Sequence, residues 1–544
     1  MYNVTFDQCK QYFPLKQARH SQQTAIEFAV NAFNSGKKFV ILELPVGCGK
    51  SAVGVTIANY FNSNPIGNQS GAYILTTQKV LQDQYVSDFG PKSLNILRSI
   101  KSSSNYQCLH NRDQTCAESR RVLFQLREQL AGTEYAKVCG CKCSYKLDKD
   151  KFIQSLIGVT NFSYFLAETA YKGDLTPRQL LIIDEAHNIE SELSKVIEIS
   201  FSEKVAKKLL GCKLMKKQPT QENVYKWLTT SYIVALKKYI ANLQIKLSNA
   251  LRTANTVLGK EYAQQFEKLD KHICKVNRFI DEYNQENWIL NVSIDEKTKL
   301  KKFEFKPIDV STYGNDKLYK FGEKVLLMSA TIINKEAFCE SIGIPMNDVE
   351  FLSLPSTFPV ENRLIHFMPV GSMSKSIIDI TLPKMAKAIE YILDNHQEKG
   401  IIHTVNYRIA QYIVENVKSD RLLLHDATNR EDVLKKHIEC SENTVLISPS
   451  MTEGVDLYDQ NSRFQIICKV PFPYLGDEMV KRRMERSKIW YNFQTAKTLI
   501  QSLGRSVRNE NDYAISYILD NDWEKFYKLN QSIFPNDFKQ LLRM

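Results

Sequence analysis

Short apolar runs that end in polar or glycine-rich turns recur along the whole chain. Phe39-Val-Ile-Leu-Glu-Leu44, Gly71-Ala-Tyr-Ile-Leu-Thr76, Leu156-Ile-Gly-Val159, Leu181-Ile-Ile183 and Lys324-Val-Leu-Leu-Met328 come first. Lys399-Gly-Ile-Ile-His403, Asn443-Thr-Val-Leu-Ile447 and Ile466-Ile-Cys-Lys-Val470 follow later. Runs this short, with helical spacing between them, predict strands of a parallel sheet buried on both faces. Helical periodicity covers Lys16 to Phe33, restarts near Ala52, holds Leu81 to Gln84 and resumes near Tyr407. From Ser191 to about Leu300 the pattern changes to long helical spacing rich in Lys, Leu, Glu, Asn and Gln, as in Tyr232-Ile-Val-Ala-Leu-Lys-Lys-Tyr-Ile240. The expectation is an α/β protein with a helical insertion.

Composition changes that picture little. With 544 residues, two to four domains are expected. The hydrophobic fraction of 43% and charged fraction of 24% are ordinary for a globular chain. A net charge of +12 permits a polyanionic partner without requiring one. No apolar run approaches the roughly 20 residues of a membrane span, and Met1-Tyr-Asn-Val-Thr-Phe-Asp lacks a signal-peptide pattern, so a cytoplasmic protein is expected. The cysteines matter more. Of twelve, Cys108, Cys116, Cys139, Cys141 and Cys143 crowd into one segment with spacing C-x7-C-x22-C-x-C-x-C. Without a secretion signal, that crowding favours metal or iron–sulfur ligation over disulfides, and spacing alone does not choose between zinc and iron.

The turns after the strands carry the candidate chemistry. Pro45-Val46-Gly47-Cys48-Gly49-Lys50-Ser51 joins a strand to a helix, the setting of a phosphate-binding loop, although Leu44 stands where the full pattern has its first glycine. Its backbone N–H groups would cradle phosphates, Lys50 would reach the β- and γ-phosphates, and Ser51 would bind Mg²⁺. Asp184-Glu185-Ala186-His187 ends another strand; Asp184 would hold Mg²⁺ and Glu185 would orient the attacking water. Upstream, the Gln22 amide beside Arg19 can read an adenine edge. Near the C-terminus, Gln501-Ser-Leu-Gly504-Arg505-Ser-Val-Arg508 places two arginines three apart, sharing a face on a helix, where they would neutralise charge on a transferred phosphoryl group. Thr76, Thr77 and Gln78 end a strand in groups that can donate to a nucleic-acid backbone.

Lys101-Ser-Ser-Ser-Asn-Tyr-Gln-Cys108, Thr160-Asn161-Phe-Ser-Tyr164, Asp184-Glu-Ala-His-Asn188, Ser329-Ala-Thr331, Glu453-Gly454-Val-Asp456, Pro471-Phe-Pro473 and the Gln501–Arg508 stretch, in this order, resemble the XPD/DinG family of superfamily 2 DNA helicases. The resemblance covers nearly the whole chain. It implies two RecA-like motor domains, with a cysteine-rich iron–sulfur insertion and a helical arch insertion in the first. The implied divisions are 1–100, 151–190 and 305–350 for the first motor domain, 101–150 for the cysteine-rich domain, 191–304 for the arch and 351–544 for the second motor domain. It further implies ATP-dependent translocation on single-stranded DNA, usually 5′-to-3′, with unwinding of forked DNA by a monomeric motor. ATP and Mg²⁺ are the expected ligands, with a [4Fe–4S] cluster on four of the five crowded cysteines and structural Zn²⁺ as the alternative. Asn161, Thr404 and Glu453 are the implied DNA contacts beside Thr77 and Gln78, while Gly454 and Asp456 would couple DNA to nucleotide and His187 would complete the acidic box. An RNA helicase and a nucleotide-binding scaffold without unwinding remain the competing readings.

Overall fold

A computed structural model describes residues 3–90, 97–109, 112–119, 143–171, 174–253, 255–426, 428–449, 457 and 459–544. Along the first part of the chain the strands are β1 (Phe39–Glu43), β2 (Ala72–Thr76), β3 (Leu97–Ser99), β4 (Ile157–Asn161), β5 (Arg178–Asp184), β6 (Ile199–Ser202), β7 (Trp288–Ile294), β8 (Lys301–Pro307), β9 (Gly322–Ser329) and β10 (Val349–Ser353). Seven of them form one sheet in the order β10-β1-β9-β5-β2-β4-β3, parallel throughout. The apolar runs explain it. Phe39 and Ile41 enter the core on one face, and Val40 and Leu42 enter the core on the other. Leu181 and Ile183 divide from Leu180 and Ile182 in the same way. A fully buried aliphatic side chain contributes roughly 1.5–3 kcal/mol, so a strand buried on both faces is fixed in register from both sides.

The second part repeats the design. The strands β11 (Ile365–Gly371), β12 (Gly400–His403), β13 (Leu422–Leu424), β14 (Val445–Ser448), β15 (Phe464–Ile467), β16 (Ile515–Asp520) and β17 (Leu542–Arg543) form a parallel sheet in the order β13-β14-β12-β15-β16-β11-β17. This sheet also separates two apolar clusters. The two α/β units agree with the expected architecture. Among the described residues, no helix is long and apolar enough to cross a membrane.

Three sequence expectations shift. Residues 351–353, expected in the second motor domain, lie inside β10, which pairs with β1. The first unit therefore closes at Ser353 rather than at residue 350. The arch segment 191–304 does hold long helices, Ile233–Arg252 and Thr256–Glu282. It also holds an antiparallel sheet, β6-β8-β7, whose β8 crosses the expected boundary at 304. Phe303 and Phe305 alternate inward on that strand and pack against Phe201.

Candidate nucleotide cleft

Strands β1, β9 and β5 are neighbours, so their carboxyl ends set three loops side by side, the place where open parallel sheets bind ligands. After β1, Gly47 and Gly49 adopt φ of 76° and 81°, left-handed values that suit glycine. The helix Lys50–Ser63 starts at once, two residues before the expected Ala52, so Lys50 and Ser51 lie in its first turn. A side-chain carbon at Gly47 would stand 2.7 Å from the Arg508 carbonyl oxygen and 3.1 Å from the Phe358 ring. The phosphate-binding loop thus touches the second unit. Cys48 is buried in the loop, and burial pushes its thiol up.

Arg19 and Gln22 support this loop instead of facing the cleft. Arg19 donates to the Gly47 carbonyl. Gln22 Nε2 donates to the Gly49 carbonyl at 3.3 Å, and its Oε1 accepts from Arg19 N at 2.9 Å. One donor and one acceptor of the amide are engaged with the loop, and Gln22 is buried.

Asp184 ends β5. Its Oδ1 accepts from Glu185 N at 3.0 Å, and its Oδ2 accepts from the Tyr85 hydroxyl at 2.8 Å. Burial, then the neighbouring Glu185 charge, raises its pKa to about 6. Tyr85 was not singled out in the sequence. Its phenol is fully enclosed; burial and the Asp184 charge push its pKa well up, and the nearby Ser51 side chain opposes that rise. Glu185 takes a left-handed φ of 53°, a conformation rare outside glycine and frequent at functional sites. That turn brings its Oε2 to 3.3 Å from His187 Nδ1. Burial, helped by Lys497, Lys50 and Arg505, lowers the His187 pKa to about 4. The imidazole is therefore neutral at pH 7, and the contact is not an ion pair. His187 Nδ1 also meets Ser329 Oγ at 2.8 Å. Thr331 N donates to that oxygen at 3.1 Å, and Gln501 Nε2 donates to Thr331 Oγ1 at 3.1 Å. One polar chain runs from Glu185 to the second unit.

Gln501 sits on the helix Lys488–Leu503. That helix ends before the arginines, so Arg505 and Arg508 do not share a helical face as expected. They occupy the following loop, which Asp512 braces: its Oδ2 accepts from Arg508 N at 3.1 Å and its Oδ1 accepts from Arg463 at 2.7 Å. Both arginines still line a cleft of about 990 Å³ with Pro45, Val46, Lys50, Thr77, Gln78, Glu185, His187, Thr331 and Gln501. A second bracket fixes this helix to the first unit. Glu190, five residues past Glu185, accepts from Trp490 Nε1 and Gln494 Nε2, both at 2.8 Å. Arg483 bridges Asp309 at 2.8 Å and Glu190 at 3.6 Å. Glu190, Trp490 and Arg483 belong to no motif read from the sequence.

The expected nucleic-acid contacts divide. Thr77 and Gln78 open into the cleft. Asn161 is buried, with Oδ1 accepting from Tyr164 N at 2.9 Å and Nδ2 donating to Gln82 at 3.4 Å; it caps the helix that follows. Thr404 is also buried, its hydroxyl donating to the Asn406 carbonyl at 3.2 Å. Neither side chain faces solvent here, because each satisfies a turn at a strand end. Glu453, Gly454 and Asp456 lie outside the described residues, as do Cys139 and Cys141. Of the other cysteines, Cys116 and Cys143 face each other at 3.8 Å between sulfurs, and Cys108 is buried nearby in sequence.

Residues 389–540 match a helicase C-terminal domain and residues 15–214 match the Type III restriction enzyme res subunit. An ATP-dependent DNA helicase YoaA of Haemophilus influenzae is 22% identical over 92% of this chain and 90% of its own length. A probable ATP-dependent helicase of Methanocaldococcus jannaschii is 22% identical over 94% of this chain and 93% of its own. Among solved structures, an XPD helicase superposes with a TM-score of 0.65 at 15% identity, covering 95% of this chain and 99% of that one. An Xpd4 structure from S. tokodaii superposes with a TM-score of 0.56 at 13% identity, covering 97% and 100%.

Proposed function

We infer that this chain, an XPD/DinG-like superfamily 2 helicase, is an ATP-dependent DNA helicase that moves 5′-to-3′ on single-stranded DNA and opens forked duplexes as a monomeric motor. One observation carries the ATPase reading: Lys50 and Glu185 from one α/β unit, and Gln501, Arg505 and Arg508 from the other, converge on a single cleft. Phosphoryl transfer needs positioned cations around the γ-phosphate and one carboxylate on the attacking water. Lys50 and the glycine loop supply the cradle, Glu185 orients the water, and the two arginines answer growing charge from across the cleft. The Ser51 hydroxyl and the Asp184 carboxylate both neighbour the Tyr85 hydroxyl, which donates to Asp184. An all-oxygen pair suits a hard cation, so Ser51 and Asp184 would hold Mg²⁺, which would neutralise phosphate charge there. The polar chain through His187, Ser329, Thr331 and Gln501 transmits the state of the nucleotide between units.

The cysteine segment we assign to a [4Fe–4S] cluster, held by Cys108, Cys116, Cys143 and one of Cys139 and Cys141. The facing Cys116 and Cys143 thiols, too far apart for a disulfide, support a shared metal group. Zinc would use the same ligands. The cysteine segment and the arch would then wall the path on which the duplex splits. The test is strand displacement on 5′-tailed and 3′-tailed duplexes beside ATPase assays with single-stranded DNA and RNA. Unwinding of the 5′-tailed DNA substrate is expected. Stimulation by RNA alone would replace DNA as the track, and no nucleic-acid-stimulated turnover would leave a binding scaffold.

A further inference from the structure

The Tyr85 hydroxyl stands between the two groups assigned above to the metal. It donates to Asp184 Oδ2 at 2.8 Å beside the Ser51 side chain, and its ring is 2% exposed. The ring lies in the apolar cluster behind the phosphate-binding loop, 5.9 Å from Phe89 between centroids. That cluster needs only the ring: it is built from side chains such as Val53, Ile57 and Ile182, and the hydroxyl adds nothing to it. The hydroxyl therefore has a polar role, and the groups that act on it are the metal pair and Glu185.

We propose that Tyr85 is a positioning residue that keeps the nucleotide-free metal site closed, its hydroxyl holding the Asp184 carboxylate until a cation with nucleotide takes that oxygen. The proposal rests on the reading of Ser51 and Asp184 as the magnesium pair. A hydrogen bond to a carboxylate is worth roughly a tenfold or larger equilibrium factor, and a cation must displace it to use the same lone pair. The helix that carries Tyr85, Lys79–Phe89, follows directly on Thr77 and Gln78, which face the cleft. One turn before Tyr85, Gln82 donates to the Ile100 carbonyl at 2.8 Å and accepts from Asn161 at 3.4 Å. This helix thus joins the metal pair to both strand ends assigned to nucleic acid. Release of the phenol is felt where the DNA track is expected.

The experiment titrates Mg²⁺ into the full-length protein with a fluorescent ADP analogue and reads nucleotide binding. Tyr85→Phe keeps the ring and removes the hydroxyl. The Mg²⁺ concentration for half-maximal binding is expected to fall about tenfold, while binding of the analogue in EDTA stays as in the wild type. Direct Mn²⁺ binding by electron paramagnetic resonance on Tyr85→Met gives a second measurement, expected to shift the same way. An unchanged or higher Mg²⁺ requirement in Tyr85→Phe overturns the closing role and makes the phenol a support for Asp184. A wild-type protein that binds the analogue equally with and without Mg²⁺ overturns the metal assignment itself, and the two failures are told apart in one data set.

Discussion

Arg483→Met removes the cation that ties the second α/β unit to the first. The guanidinium is 5% exposed and serves Asp309 at 2.8 Å and Glu190 at 3.6 Å. Methionine fills the stem and leaves the two carboxylates without the cation they share, although Lys497 still acts on Glu190. Breaking a buried pair by removing one partner costs about 3–5 kcal/mol. The Glu190 and Asp309 side chains keep 20% and 30% of their exposure, so water screens part of that loss and ~2–3 kcal/mol is expected. Burial already raises the Glu190 pKa, and Arg483 opposes that rise. Without Arg483 the pKa climbs further. A carboxylate whose folded pKa lies above its unfolded value stabilises the fold below the unfolded pKa and loses that stabilisation as pH rises through the folded one. The variant should therefore lose less at pH 5 than at pH 7.5, and Glu190→Gln in the same chain should recover part of the loss. Urea unfolding followed by tryptophan fluorescence reads this directly, because Trp490 is part of the bracket. A loss below ~0.5 kcal/mol, or one equal at both pH values and untouched by Glu190→Gln, would refute the reasoning.

Three further outcomes follow from the cleft. Glu185→Gln should bind ATP as the wild type does and lose roughly 10²–10⁴ in turnover, as measured by DNA-stimulated phosphate release. Arg505→Ala should lower kcat by about 10³ with DNA affinity in the absence of nucleotide unchanged; the reverse pattern would make Arg505 a backbone contact. The Asp184 pKa, raised to about 6 by burial and Glu185, means that the nucleotide-free protein should lose ~2–3 kcal/mol as pH rises from about 4 past 6. Thermal unfolding of Asp184→Asn across that window should lack this slope.

The motor core was legible because its central strands are buried on both faces, as runs such as Phe39-Val-Ile-Leu and Leu181-Ile-Ile imply. The loops after those strands were legible through residue chemistry. What the sequence could not show was the direction in which each polar side chain turns. Asn161 and Thr404 end strands where hydroxyls and amides suit a ligand, yet each satisfies a local backbone group instead. Arg505 and Arg508 kept their place in the cleft while losing the helix expected to carry them, since Gly504 caps it at Leu503. The small sheet β6-β8-β7 was hidden because β6 pairs with β8 about a hundred residues later, as Ile199 with Phe305. Tyr85, Glu190 and Arg483 were missed for another reason. Nothing in their neighbours along the chain marks them, and their partners come from distant elements.

The order β10-β1-β9 has a consequence for how the protein is made. β1 leaves the ribosome early, but both of its flanking strands come late: Gly36 and Lys324, which meet beside it, are 288 residues apart, and Lys38 and Asp348 are 310 apart. At about 5–20 residues per second, β1 waits roughly 15–60 s with both edges open, while the two insertions are synthesised. An unpaired apolar strand is a template for aggregation. The nascent chain should therefore depend on holding chaperones until residue 353 has emerged. Fragments that stop inside the arch should be insoluble however stable the finished motor is.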